Sequence, residues 1–358
     1  MNNQRDLSID YAKGFAMLLI VIGHVYFFSD RSEGSWIWRI CNTTQIPIFM
    51  FISGLLAYKS INKYDFGTLI KKRALRLLLP FFSFYILWGI YIPDTFRSLP
   101  LDQFKQGLWF VLVLFEIDVL FSFSKYISNK YNHPILPYHI LFFFIITLFV
   151  SVAPQGNTIR QLLSVNLLWH YYPFFMLGYY SSHLNKLFKL KYAIVYILIY
   201  IIALYYLYTY NIKYITPICN VVSLLFWLTI IKRLRPMETI FTKIGYYSLQ
   251  IYLLHFWIIH FSISYMPIIN NRWIECGVVV CVALVITLVS IVIAYMLMKN
   301  KWISLLLFGI KNNSQMEKPY PVKKTKQGHP QDDQGMKISE SRNPNFPQDP
   351  KNSRNAPN

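Results

Sequence analysis

The chain has 358 residues, 55% of them hydrophobic and only 14% charged, with a mean hydropathy of +0.36. So apolar a composition excludes an ordinary soluble domain and points to an all-α polytopic membrane protein. The formal charge of +19 would suggest a nucleic-acid partner in a soluble chain; here it raises the question of which membrane face carries it, and no nucleic acid is expected.

A helix needs about 20 apolar residues to cross the hydrocarbon core. Runs of that kind fall near residues 9–28, 36–58, 77–93, 108–124, 135–152, 164–182, 192–210, 216–231, 244–263 and 275–298, which gives about ten transmembrane helices. The third and eighth are short, with Pro80 and Pro217 near their starts. The first run is expected to remain as a helix: Asp6 and Asp10 precede it, and no small-residue cleavage pattern appears before Asp30. One alternating set of connections carries Arg5, then Lys59, Lys63, Lys71, Lys72, Arg73 and Arg76, then Lys125 and Lys130, then Lys186, Lys189 and Lys191, then Lys232, Arg233, Arg235 and Lys243. The other set holds only Arg31, Arg97, Lys105, Arg160, Lys213 and Arg272. The positive-inside bias therefore puts both termini in the cytoplasm of a multi-pass protein of the inner or plasma membrane.

Residues 1–310 form the expected transmembrane domain. After them the composition turns to Pro, Asn, Lys, Gln and Asp with almost no aliphatic residues, so 311–358 reads as a disordered cytoplasmic tail. "KWISLLLFGIK", just before the tail, is too short to span and suits the interface. Cys41, Cys219, Cys276 and Cys281 show no CxxC pair and no zinc spacing, so they read as small packing residues, with neither disulfide nor metal expected. No internal repeat of the transporter kind is evident.

The stretch "IDYAKGFAMLLIVIGH" places Lys13 and His24 on one helix, roughly 16 Å apart along its axis, so Lys13 lies near the inner face and His24 in the outer half. Alone, Lys13 reads as a snorkelling flank residue, whereas an ionisable group as deep as His24 is costly and functional by default. With "PIFMFISGLL", "RALR", "GLWFVLVLFE", "YYPFFMLGYY" and "YSLQIYLLH" following in order, the chain resembles the acyltransferase-3 superfamily of integral membrane acyltransferases over about residues 5 to 300. Within it, the Lys at the basic position is most similar to sugar O-acetylases of the fucose 4-O-acetylase-like group. The resemblance implies transfer of an acyl group, commonly acetyl from acetyl-CoA, to a hydroxyl of a cell-surface polysaccharide or glycolipid sugar.

That chemistry needs a group to take the hydroxyl proton, and an imidazole suits the task at neutral pH. His24 is the candidate, as general base or as transient acyl carrier. Glu116 and Asp118 are almost the only carboxylates inside a span; Glu116 is the expected catalytic partner, with a counter-ion role to a buried cation equally open. Arg73 and Arg76, three apart on one helical face, match the paired arginines of the family and can fork onto the phosphates of acetyl-CoA, the acyl donor and co-substrate, with Lys13 joining the rim. His255 and His170 reach the outer half and are candidates for the acceptor site, although a helical histidine is often only packed and hydrogen bonded. Ser53 and Gly54 read as a small-residue pair for close helix approach. The alternative is a proton-coupled transporter of a glycan or small solute, with His24 and Glu116 as a proton relay.

Overall fold

The computed structural model describes residues 7–29, 35–182, 188–210, 212–231, 238–262, 269 and 271–311. The expected tail therefore lies outside the described residues, as do Arg5, Arg31, Lys186, Lys232, Arg233 and Arg235. No strand occurs among the described residues. The principal helices are α1 Leu7–Phe28, α2 Trp36–Ile61, α3 Phe66–Tyr91, α4 Trp109–Tyr131, α5 Leu136–Val152, α6 Val165–Tyr179, α7 Ala193–Tyr210, α8 Thr216–Ile231, α9 Glu238–Tyr246, α10 Ser248–Ser262, α11 Arg272–Met298 and α12 Lys301–Phe308.

Helical structure falls in each of the ten expected runs, but among the described residues only five helices are long and apolar enough to cross a membrane by length and composition. These are α1, α2, α3, the helix Leu190–Tyr210 that includes α7, and α11. The others fall short for visible reasons. Helix α4 carries Glu116, Asp118, Lys125 and Lys130; α5 and α8 have 17 and 16 residues; and the ninth expected span is broken at Tyr247 into α9 and α10.

Helix α3 differs most from its expected extent. It begins at Phe66 rather than near 77, because the Asp65 carboxylate caps the N–H of Thr68 at 2.9 Å and starts an amphipathic turn in "FGTLIKKR". Arg73 and Arg76 thus lie within the helix rather than at its mouth. Pro80 lacks the N–H that would continue the i→i−4 ladder, and just before it residues Ala74–Leu78 widen into a π turn, in which the N–H of Leu79 reaches the carbonyl of Ala74. Helix α12 packs on this turn: Ser83 donates to the Leu306 carbonyl at 2.8 Å, and Gly309, at φ +65°, lies so close to the Leu75 carbonyl that a Cβ would overlap it.

Helices α1 and α2 form the centre. Every residue from Thr43 to Ile52 of α2 is buried, as expected for a helix enclosed on all sides. Pro47 leaves the Thr43 carbonyl without its usual helical donor, and Ser223 Oγ of α8 donates to it at 2.8 Å. At the periphery, α5, α7 and α11 expose Phe144, Leu148, Ile194, Ile202, Val285 and Leu288, an apolar surface of the kind that faces lipid.

Glycines set two close helix contacts. Added Cβ atoms at Gly14 and Gly245 would overlap the carbonyls of Phe241 and Asp10, so α1 and α9 meet backbone to backbone; Gly54 and Gly178 do the same for α2 and α6. Gly54 therefore has the close-approach role expected of it. Gly14→Val is expected to destabilise the bundle by about 1–3 kcal/mol or more through overpacking. Gly277→Ala, with no atom within 4 Å of the added Cβ, serves as the control; a thermal unfolding scan in detergent that shifts equally little for both would refute the packing argument.

Candidate active site

On α1, Lys13, Met17, Ile20 and His24 follow at helical spacing and share one face. The first three line a cavity of about 180 Å³, together with Phe49 and Ser53 of α2, Arg73, Arg76 and Leu77 of α3, Val111 and Asp118 of α4, and Tyr252 of α10. Among the described lining residues the structure thus gathers three cations, Lys13, Arg73 and Arg76, with one carboxylate, Asp118. Arg73 is oriented from two sides: its Nη2 donates to Ser60 Oγ at 2.8 Å, and its Nε lies 3.2 Å from Asp118 Oδ2 without the alignment of a hydrogen bond. Lys13 pairs with Asp10 at 3.8 Å, one turn earlier on α1.

One helical turn beyond Ile20, and one beyond Tyr252, the two helices bring imidazoles together. His24 Nδ1 lies 2.8 Å from His255 Nε2, and the rings meet edge to edge, their centroids 5.1 Å apart and their planes within 18° of each other. His255 is fully buried, and its Nδ1 lies 2.9 Å from the Ile251 carbonyl of its own helix. Phe256 closes on His24 edge to face at 4.9 Å. Its ring fits only because Gly107, at φ +83°, has no side chain: a Cβ there would meet it at 2.5 Å.

Gly107 ends a run of three residues with positive φ, preceded by Lys105 and Gln106 at +49°. For the two non-glycine residues this costs about 1–2 kcal/mol each. Lys105 offsets part of that cost by donating its ammonium to the carbonyls of Pro100, Asp102 and Gln161 at 2.9, 2.6 and 2.7 Å. Burial pulls the Lys105 pKa below its ordinary value, against the opposing charges of Asp102 and Glu116. Tyr252 then ties this loop to the site, donating to the Gly107 carbonyl and accepting from the Phe110 N–H at 3.2 Å.

Two of the expected site residues are elsewhere. The structure does not bring Glu116 to His24: neither Glu116 oxygen has a hydrogen-bond partner among the described residues, and the cation acting on it is Lys105. The carboxylate that reaches the cavity is Asp118, two residues further along α4. His170 is not brought to the imidazole pair either; its Nε2 lies 3.0 Å from the side-chain amide of Asn220. With that amide turned so that its oxygen accepts from His170, its nitrogen reaches the carbonyls of Thr43 and Thr216 at 3.2 Å each, and the histidine becomes part of a structural knot. Sequence reasoning missed Tyr252 and Phe256, although Tyr252 and His255 stand three apart in "IYLLH" and so share a face. Among the described residues, no group of three His, Cys, Asp or Glu side chains gathers as a metal site would.

The helical bundle thus brings two hydrogen-bonded histidines together one turn beyond a cation-lined cavity. Comparison with known proteins gives the family: the chain belongs to the acyltransferase-3 superfamily, whose acyltransferase domain profile matches residues 6–295. It is 29% identical over 190 residues, 49% of its length, to the nodulation protein NolL of Mesorhizobium japonicum, and 27% identical over 194 residues, again 49%, to that of Sinorhizobium fredii. The chain spans about half the length of these curated relatives, 48% and 49% respectively. No solved structure matches it.

Proposed function

We propose that the protein is a multi-pass membrane O-acyltransferase that moves acetyl from cytoplasmic acetyl-CoA to a hydroxyl of a cell-surface polysaccharide or glycolipid sugar. The observation that carries this reading is the placement of Lys13, Arg73 and Arg76 around one cavity on the stripe of α1 that leads to His24. The cations suit the donor's phosphates, with Arg73 held ready by Ser60 and Asp118. The step from Ile20 to His24 is one turn, roughly 6 Å of rise, so a thioester entering past Met17 and Ile20 approaches the imidazole.

In the transfer, His24 takes the proton of the acceptor hydroxyl as its oxygen attacks the thioester carbonyl carbon. The carbon–sulfur bond breaks, and the departing thiolate recovers that proton, giving the sugar ester and free coenzyme A. Ten spans, both termini cytoplasmic and a location in the inner or plasma membrane complete the proposal, supported by the alternating Lys and Arg bias along the chain. The test is transfer of radiolabelled acetyl from acetyl-CoA to the glycans of membranes from cells expressing the chain. Label that stays in coenzyme A, with no ester formed, would refute it.

Glu116 falls outside the hydrogen-bonded pair and is assigned to balancing the charge of Lys105. Glu116→Gln is therefore expected to keep turnover within about threefold of the parent, because uncharged Gln removes a side chain that positions nothing at the reacting atoms. A loss of about a hundredfold with normal protein yield would return Glu116 to the catalytic machinery.

A further inference from the structure

We propose that His255 is a positioning residue that fixes the tautomer of His24 and so makes its Nε2 the proton acceptor. The inference rests on the acyltransferase reading above and goes beyond it by assigning a proton to each ring nitrogen. It begins at a carbonyl. Ile251 O can only accept, so His255 Nδ1, 2.9 Å away, carries a hydrogen. A neutral ring with hydrogen on Nδ1 has a bare lone pair on Nε2, and that atom lies 2.8 Å from His24 Nδ1. His24 must then donate from Nδ1, which leaves its own Nε2 unprotonated. No described residue hydrogen bonds to His24 Nε2, so the lone pair is available to an incoming hydroxyl.

The choice of a second imidazole in place of a carboxylate follows from the surroundings. His255 is fully buried between apolar helices, where an unpaired anion is costly. A neutral ring orients His24 without placing a charge there at rest. When Nε2 of His24 takes the hydroxyl proton, the resulting imidazolium keeps its Nδ1–H bonded to His255, and this charge-assisted bond is stronger than the neutral one it replaces. The two rings lie within 18° of coplanar, as this in-plane hydrogen bond needs, and the edge of Phe256 packs on His24. His255 does not touch the reacting atoms; it acts through His24.

The experiment compares His255→Leu, His255→Asn and His255→Gln for acetyl transfer from radiolabelled acetyl-CoA to glycans in membranes from expressing cells, with maximal turnover per folded protein and the KM for acetyl-CoA measured separately. The amide oxygen of Gln reaches the position of a histidine Nε2, whereas that of Asn stops near Nδ1. Expected are a fall in turnover of about a hundredfold or more for Leu and Asn, recovery to within about tenfold of the parent for Gln, and a KM for acetyl-CoA changed by less than about threefold in all three. A role in packing alone would follow side-chain volume and would not separate Gln from the rest by turnover. The proposal is overturned if Gln is as impaired as Asn, or if Leu keeps parental turnover. Should Leu fail to fold, the contrast of Gln with Asn still decides. A parent with no acetyl transfer refutes the enzyme reading itself, whereas a dead His24→Ala beside a fully active His255→Leu removes only this inference.

Discussion

Replacing His24 with alanine is expected to abolish acetyl transfer, by about 10²–10⁴-fold or to the limit of detection, while the protein still inserts and accumulates. The ring is partly buried, against His255, Phe28 and Phe256. Removing it eases the burial of a polar group in α1, so the fold loses packing against Phe28 and Phe256 but no ion pair. The His255 Nε2 left behind is a neutral acceptor that a water can satisfy. Insertion is read from the amount and monodispersity of the detergent-extracted protein, and activity from label incorporated into glycan. Incorporation near the parental level would remove His24 from the mechanism.

The second large effect concerns the donor. Arg73→Lys with Arg76→Lys preserves the charge on α3 and hence its orientation in the membrane, but loses the planar fork that fits a phosphate. The double variant is expected to need more acetyl-CoA, with an apparent loss on the order of 1–3 kcal/mol, or roughly 5- to 150-fold in KM, and a smaller change in turnover. The structure sharpens this expectation, because Arg73 is already oriented by Ser60 and Asp118, and a lysine ammonium at that position cannot keep both contacts and still present a second N–H to a ligand. Lys71 and Lys72 are exposed on the same helix and do not line the cavity, so changing both to Gln is expected to leave the dependence on acetyl-CoA alone. The donor site is excluded if the arginine variant titrates like the parent, or if the lysine changes have the larger effect.

Much was legible in the sequence because membrane helices obey local rules. Apolar runs had to become helices to satisfy their backbone groups, and each expected run is helical. The fixed rise and twist of α1 put Lys13 and His24 on one stripe before any neighbour was known. The depth of His255 follows from the same arithmetic on a second outward-running helix, which is why both imidazoles are expected in the outer half. Pro80 warned that the start of α3 was ambiguous, though it could not show that a π turn and an Asp65 cap move that start back to Phe66.

The tertiary structure decided which polar groups meet, and here sequence spacing carries no information. Glu116 and Asp118 differ by two residues on α4, about 200° of helical rotation, so only the rotation of that helix against α3 selects Asp118 for Arg73 and leaves Glu116 to Lys105. That rotation is set by packing, with Tyr252 bonded to Gly107 and Phe110 at the start of α4. The separation of 231 positions between His24 and His255 hides a contact of 2.8 Å for the same reason. Helices α1 and α9 close backbone to backbone at Gly14 and Gly245, and α10, which follows α9 after Tyr247, carries His255 to the face of α1 that bears His24. Helix identity and depth are properties of each segment and its lipid solvent, whereas the pairing of buried polar groups is a property of how the segments close on one another.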